Sequence, residues 1–266
     1  MLKPKVIVLS GYGLNCEEET KFAFETAGAV ANIVHINDLI AGQYKLSNYQ
    51  IMVIPGGFSY GDDTGAGNAY AEKVKNNLWE EITSFVQKDK LAIGICNGFQ
   101  VLVNLGLVPA LNNKYGKREA ALINNNKPRY TVRWVDLKIE NKTPWLIGIE
   151  NISLPIAHGE GKFYAEKEVM EKIKNRKLIA AKYIKGELCT YLELNSNPNG
   201  SFEDIAGITD ETGKILGLMP HPERAQFFHQ LPNWTYLAEL YKREGKKIPK
   251  VGPGLKIFQN GVDYFK

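Results

Sequence analysis

Apolar positions in the first hundred residues fall into short runs separated by stretches with helical spacing. The runs at Lys5–Ser10, Val30–Ile36, Ile51–Ile54 and Leu91–Ile95 predict strands. Between them, Glu17–Ala27 predicts a helix, and Glu72–Lys88 puts Val74, Leu78, Ile82, Phe85 and Val86 on one helical stripe. Parallel strands need a crossover that lays a helix on the sheet, so this alternation predicts an α/β fold with a mostly parallel central sheet flanked by helices. Ligands of such sheets bind beyond the carboxyl ends of the strands. The loops after Leu9, Ile54 and Ile95 should therefore converge on one site.

The second half has a different rhythm. Arg129–Glu140, RYTVRWVDLKIE, is near-alternating, the pattern of exposed antiparallel strands. Further short strands are predicted at Ile152–Ala157, Leu178–Ile184, Ile205–Thr209 and Ile215–Met219, with a loop at Asn195–Ser201 and a helix at Asn233–Arg243. No repeat and no linker divides the chain. The expectation is one domain over residues 1–266, with an antiparallel extension and an extended C-terminal tail from about 226. The last part of that tail, rich in Lys, Gly and Pro, carries no pattern that assigns it a fold.

Bulk properties narrow the classes. At 266 residues and 44% hydrophobic content the chain can bury a core without disulfides. The net charge of +4 is a lysine excess spread along the chain, with neither a basic run nor interleaved aromatics, which argues against a nucleic-acid partner. Val6–Leu9 is too short for a signal peptide or for a membrane span of about 20 residues. A cytoplasmic protein with no membrane association is expected. Cys16, Cys96 and Cys189 are odd in number, widely spaced and without C-x-x-C, so free thiols are expected and no metal site is assigned.

Candidate chemistry starts at Gly94-Ile95-Cys96-Asn97-Gly98, the cysteine counterpart of the strand-to-helix turn that lifts a nucleophile into the open. Side chains at either glycine would crowd the turn. A cysteine opening the helix that follows would meet orphan amides and a dipole that favour a thiolate. On this stretch alone, a buried thiol filling a tight strand–helix contact fits equally well. A partner base distinguishes the two. Of four histidines, His35 lies in or beside a strand, where packing or capping suits it, and His229 has no carboxylate at a useful spacing. His221, in MPHPER, has Glu223 two residues on; in extended chain the two side chains would lie side by side, the carboxylate holding the imidazole in one tautomer. The amides of Gly57, in the turn Pro55-Gly56-Gly57, and of Asn97 are candidate oxyanion donors, although a purely structural turn is compatible with the same residues. GYGLNC at residues 11–16 lacks the third glycine of a dinucleotide fingerprint, and there is no P-loop sequence.

Taken together, PGG after a strand, GICNGFQ and HPE resemble the class I (triad) glutamine amidotransferases. PGGFSYGDD, PIAHGEGKF and GLMPHPER further resemble the glutaminase subunits of phosphoribosylformylglycinamidine synthase. The resemblance implies a flavodoxin-like fold, Cys96 as nucleophile, His221 as base and acid, Glu223 as its orienting residue, Gly57 and Asn97 as the oxyanion hole, and Gln100 as a contact to the substrate, glutamine. It implies no cofactor in this chain. ATP and magnesium would sit on a large synthetase subunit, with a small accessory subunit completing the complex. His158, in AHGEGK, lies in a shared motif without a chemical step, and a loop-bracing role suits it. Two departures are Lys162, where arginine is common, and a longer segment after Ala225, which could add partner surface. Rival readings are a cysteine hydrolase or peptidase on a similar scaffold, which usually draws its histidine from beside the cysteine, and a binding subunit without turnover.

Overall fold

The protein is described from a computed structural model that covers residues 3–141 and 143–266. In chain order its elements are β1 (Lys5–Ser10), α1 (Glu17–Thr26), β2 (Val30–His35), α2 (Ile36–Ile40), β3 (Ile51–Ile54), α3 (Asn68–Val86), β4 (Leu91–Ile95), α4 (Asn97–Asn104), β5 (Ala121–Ile123), β6 (Thr131–Ile139), β7 (Asn151–His158), β8 (Lys162–Tyr164), α5 (Lys167–Asn175), β9 (Ile179–Ile184), α6 (Glu187–Tyr191), β10 (Ile205–Thr209), β11 (Ile215–Leu218), α7 (Trp234–Arg243) and α8 (Leu255–Asp263).

Nine strands form one sheet in the order β2-β1-β3-β4-β11-β10-β9-β6-β7, and β5 pairs with β8 in a separate ribbon. From β2 to β11 the strands run parallel; from β11 to β7 every pairing is antiparallel. The order 2-1-3-4 followed by a further parallel strand is the flavodoxin-like arrangement. β3 and β4 are buried at every position, which is why they read as continuous apolar runs. The near-alternating stretch Arg129–Glu140 forms one nine-residue antiparallel strand, Thr131–Ile139. Its second half lies between β7 and β9 and buries Val135 and Leu137, whereas Val132, in the half that pairs with β7 alone, is 69% exposed.

The C-terminal segment departs most from its sequence reading. Its last part, α8, is a core helix: Leu255, Ile257, Phe258 and Val262 are buried. Phe258 meets Phe24 of α1 edge-on at 4.9 Å, and Asn260 Nδ2 donates to the carbonyls of Trp145 (3.0 Å) and Ile147 (2.8 Å). α7 fits the idea of added surface better, because only Ala238 in it is buried. Among the described residues no helix is long and apolar enough to cross a membrane.

Candidate active site

β4, β3 and β11 end side by side, Ile54 opposite Gly94 and Leu218 opposite Ile95, so the residues that follow them converge. Cys96 joins β4 to α4 with φ +52° and ψ −106°, a conformation that L-residues avoid. Its N–H donates to Leu218 O (2.8 Å), and its carbonyl accepts from the amides of Phe99 (3.0 Å) and Gln100 (3.2 Å). The flanking glycines have the steric role expected of them. A Cβ on Gly98 would run into the Ile54 carbonyl, and one on Gly94 would stand 2.6 Å from Leu102 Cδ1. Cys96 Sγ lies 3.6 Å from Ala157 O, placed to donate its thiol proton.

His221 follows β11, and its N–H donates to Pro155 O (2.8 Å) of β7. Nδ1 faces Glu223 Oε1 at 2.5 Å, with both side chains buried. The chain between them is not extended, as the spacing had suggested. Pro222–Arg224 is a 3-10 turn opened by the proline, and it folds the carboxylate back onto the ring. Nδ1–H donating to Glu223 leaves the Nε2 lone pair available, and Nε2 has no partner among the described residues. Burial disfavours the imidazolium, but the Glu223 carboxylate, then the Cys96 and Cys16 sulfurs, outweigh it and hold His221 well above the usual imidazole range. His221 therefore combines burial with high proton affinity.

Gly57 follows β3 and bridges to Leu14, while its neighbour Phe58 donates to Gly13 O (2.8 Å). Asn97 is the first residue of α4, where geometry leaves the amide without an intrahelical acceptor. A strained cysteine at a helix N-terminus, beside a buried His–Glu pair and a glycine turn, is the constellation of a covalent acyl-transfer site.

The profile of the CobB/CobQ-like glutamine amidotransferase domain matches residues 3–265. The chain belongs to this family. Over 266 aligned residues it is 50% identical to the phosphoribosylformylglycinamidine synthase subunit PurQ of Methanococcus maripaludis, covering 98% of this chain and 97% of that one. The Dehalococcoides mccartyi subunit of the same name is 42% identical, with 99% and 98% covered. Among solved structures, the PurLQS structure from Thermotoga maritima matches over the whole of both chains, with a TM-score of 0.71 and 30% identity.

Within this glutamine amidotransferase domain, a cavity of about 280 Å³ is lined by Phe58, Asp62, Arg129, Tyr130, Gly159 and Glu160, and Cys96 is not part of its wall. Tyr130 links the cavity to Cys96: its hydroxyl donates to Ala157 O (3.0 Å), the carbonyl that also faces Cys96 Sγ. Gln100 is buried one turn along α4, accepting from Asn97 Nδ2 (2.7 Å) and donating to Glu160 O (2.6 Å). Asn97 Nδ2 also reaches Asp62 Oδ1 (3.4 Å). Burial, with Glu160 and Asp63 adding negative charge, pushes the Asp62 carboxyl up to about 6. His158 is a brace. Its Nδ1 lies 3.2 Å from Asn125 Oδ1, which also accepts from Gly161 N (3.0 Å), and burial followed by the His221 charge lowers it to about 3, keeping it neutral. His35 caps α2, Nδ1 accepting from Asn37 N (3.2 Å), and His229 stacks on Phe227.

Two residues beside His221 had no place in the sequence reading. Cys16 sits against His221, and Arg224 Nη2 donates to its sulfur (3.0 Å). The available signal was topological, since Cys16 lies in the loop after β1, one of those expected at the site. Cys16, His221 and Glu223 form the one grouping of metal-ligand chemistry among the described residues, and their donor atoms are engaged with one another and with Arg224.

Proposed function

We infer that this chain is the glutaminase subunit of a phosphoribosylformylglycinamidine synthase. It hydrolyses glutamine to glutamate and ammonia. A synthetase subunit uses the ammonia to convert formylglycinamide ribonucleotide into formylglycinamidine ribonucleotide with ATP, in purine biosynthesis. Full-length similarity to subunits of that name supports the assignment. The observation that carries the chemistry is the Cys96 corner set beside the buried His221–Glu223 pair.

In this reading the Cys96 proton passes to His221 Nε2 and the sulfur attacks the side-chain amide carbon of glutamine. The resulting oxyanion is held by the amides of Gly57 and Asn97. His221 returns its proton to the nitrogen, ammonia leaves, and a γ-glutamyl thioester remains. Neutral His221 then takes a proton from water, whose oxygen attacks the thioester; collapse expels the Cys96 sulfur and releases glutamate. Glu223 keeps the imidazole in the Nδ1–H tautomer throughout. Gln100 is assigned to the substrate on its position one turn after Cys96 and its bond to the Glu160 loop at the cavity wall. Ammonia must reach the second site without meeting bulk water, where protonation would quench its nucleophilicity.

ATP and magnesium are assigned to the large synthetase subunit, since activating the acceptor amide calls for phosphate binding and this sequence has no P-loop. A small accessory subunit completes the proposed assembly. Three unpaired cysteines suit a reducing cytoplasm. The test is Cys96→Ala in the assembled complex. Glutamine-dependent synthesis should be abolished while synthesis from added ammonia persists; undiminished glutamine-dependent turnover would overturn the assignment.

A further inference from the structure

The imidazole of His221 is tied at Nδ1 alone, to Glu223, and its Nε2 has no partner to fix the other edge of the ring. A ring held at one atom can swing. Yet transfer of a proton between sulfur and Nε2 needs the ring placed to within a fraction of an ångström. Something besides Glu223 has to hold it.

Cys16 stands where such a support is needed. It is 1% exposed and precedes α1, with its own amide and that of Asn15 both donating to Gly56 O at 3.1 Å. Its sulfur, a ring nitrogen of His221 and an oxygen of Glu223 lie within 4.8 Å of one another. Gly56 closes the same edge of the ring: a Cβ there would stand 2.7 Å from His221 Cε1 and 3.0 Å from Cys16 Sγ. No larger residue fits between them. The sulfur is also anchored, because the thiol donates to Asn15 Oδ1 (3.4 Å) while Arg224 Nη2 donates to Sγ (3.0 Å). The guanidinium thus held lies 4.0 Å from Glu223 Oε1 and 3.5 Å from Glu19 Oε1. It brings a cation to a carboxylate whose other oxygen, Oε2, is buried without a hydrogen bond.

We propose that Cys16 and Arg224 are positioning residues for the base: the Cys16 sulfur walls in the His221 ring and fixes the Arg224 guanidinium beside Glu223, so that Nε2 stays directed at the reacting atoms. Neither residue touches substrate. The proposal rests on the reading of His221 as the base.

The experiment uses the complete complex with its synthetase. Glutamine-dependent kcat and KM, ammonia-dependent synthesis, and the pH profile of Cys96 carboxymethylation by iodoacetamide are measured for wild type, Cys16→Ala, Cys16→Ser and Arg224→Gln. Alkylation is read on the Cys96 peptide by mass spectrometry. Cys16→Ala should lower kcat about tenfold, leave KM and ammonia-dependent synthesis unchanged, and displace the alkylation profile. Arg224→Gln should do the same. Cys16→Ser keeps an acceptor for Arg224 and should recover most of kcat and the wild-type profile. Wild-type kcat and profile in Cys16→Ala would overturn the proposal, as would a loss that Cys16→Ser fails to recover. If Cys16→Ala does not fold, Arg224→Gln decides by the same readouts. Failure of the underlying reading looks different, because His221→Ala would then keep its glutamine-dependent turnover.

Discussion

The strain at Cys96 can be measured by deleting a single methyl group. Its φ of +52° and ψ of −106° lie outside even the small left-handed basin, where ψ is positive, so a Cβ at this corner costs toward the upper end of about 1–3 kcal/mol. Cys96→Ala and Cys96→Gly both remove the sulfur, and its contacts cancel in the comparison. Alanine keeps the strained Cβ; glycine releases it. Against that release stand about 0.5–1 kcal/mol for the greater freedom of glycine in the unfolded chain and up to about 0.8 kcal/mol for the lost methyl burial. The balance leaves the glycine variant more stable by about 1 kcal/mol, the reverse of the usual order. For a chain of 266 residues that corresponds to about 2 °C in Tm. Urea unfolding followed by tryptophan fluorescence, with m-values compared, gives the difference directly. An alanine variant as stable as the glycine variant, or more so, would refute the claim that this backbone is strained.

Glu223→Gln keeps an acceptor near Nδ1 but removes the charge and admits the wrong tautomer; glutamine-dependent kcat in the complex should fall about 10³-fold, with the folded state intact by circular dichroism. The Asp62 carboxyl, raised to about 6, binds its proton more tightly in the folded state than in the unfolded one, so its contribution to stability is present below about 4 and is lost as pH rises through about 6. Asp62→Asn should therefore gain on wild type by about 1 kcal/mol between pH 4 and pH 8, a value discounted because the residue is half exposed, and a constant difference in urea titrations would count against it. Deleting residues 255–266 uncovers Phe24 and Trp145 and removes four buried apolar side chains, about 6–12 kcal/mol of burial and comparable with the whole stability of a domain. The truncated chain should be insoluble or lack a cooperative melt.

The parallel half was legible because its strands are buried on both faces and its helices on one, so composition alone marks Ile51–Ile54 and the Val74–Phe85 stripe. The corner at Cys96 was legible for a local reason: the glycines that permit it lie two residues to either side. The last helix was not. It begins after Pro253-Gly254 and contains Gly261, which lies against the Trp145 ring, so its signals read as loop until Trp145 is in place. Nor was Cys16, whose partner Arg224 lies 208 residues away. The His221–Glu223 pairing was read correctly from a spacing of two, but for the wrong geometry. A proline between them turns the chain, and a turn brings the carboxylate onto Nδ1 where an extended strand would only have set the two side by side.

The arrangement at Cys96 separates what is fixed from what can move. Its backbone is pinned by the Leu218 carbonyl on one side and by two glycine contacts on the other, so the main chain cannot relax without parting β4, β11 and α4. The side chain keeps one soft torsion. That torsion points the sulfur at the Ala157 carbonyl, whose two lone pairs also receive the Tyr130 hydroxyl, and Nε2 of His221 has no partner among the described residues. The strain at the corner thus goes with a main chain held in one place, leaving the Cys96 side-chain torsion as the coordinate free to adjust.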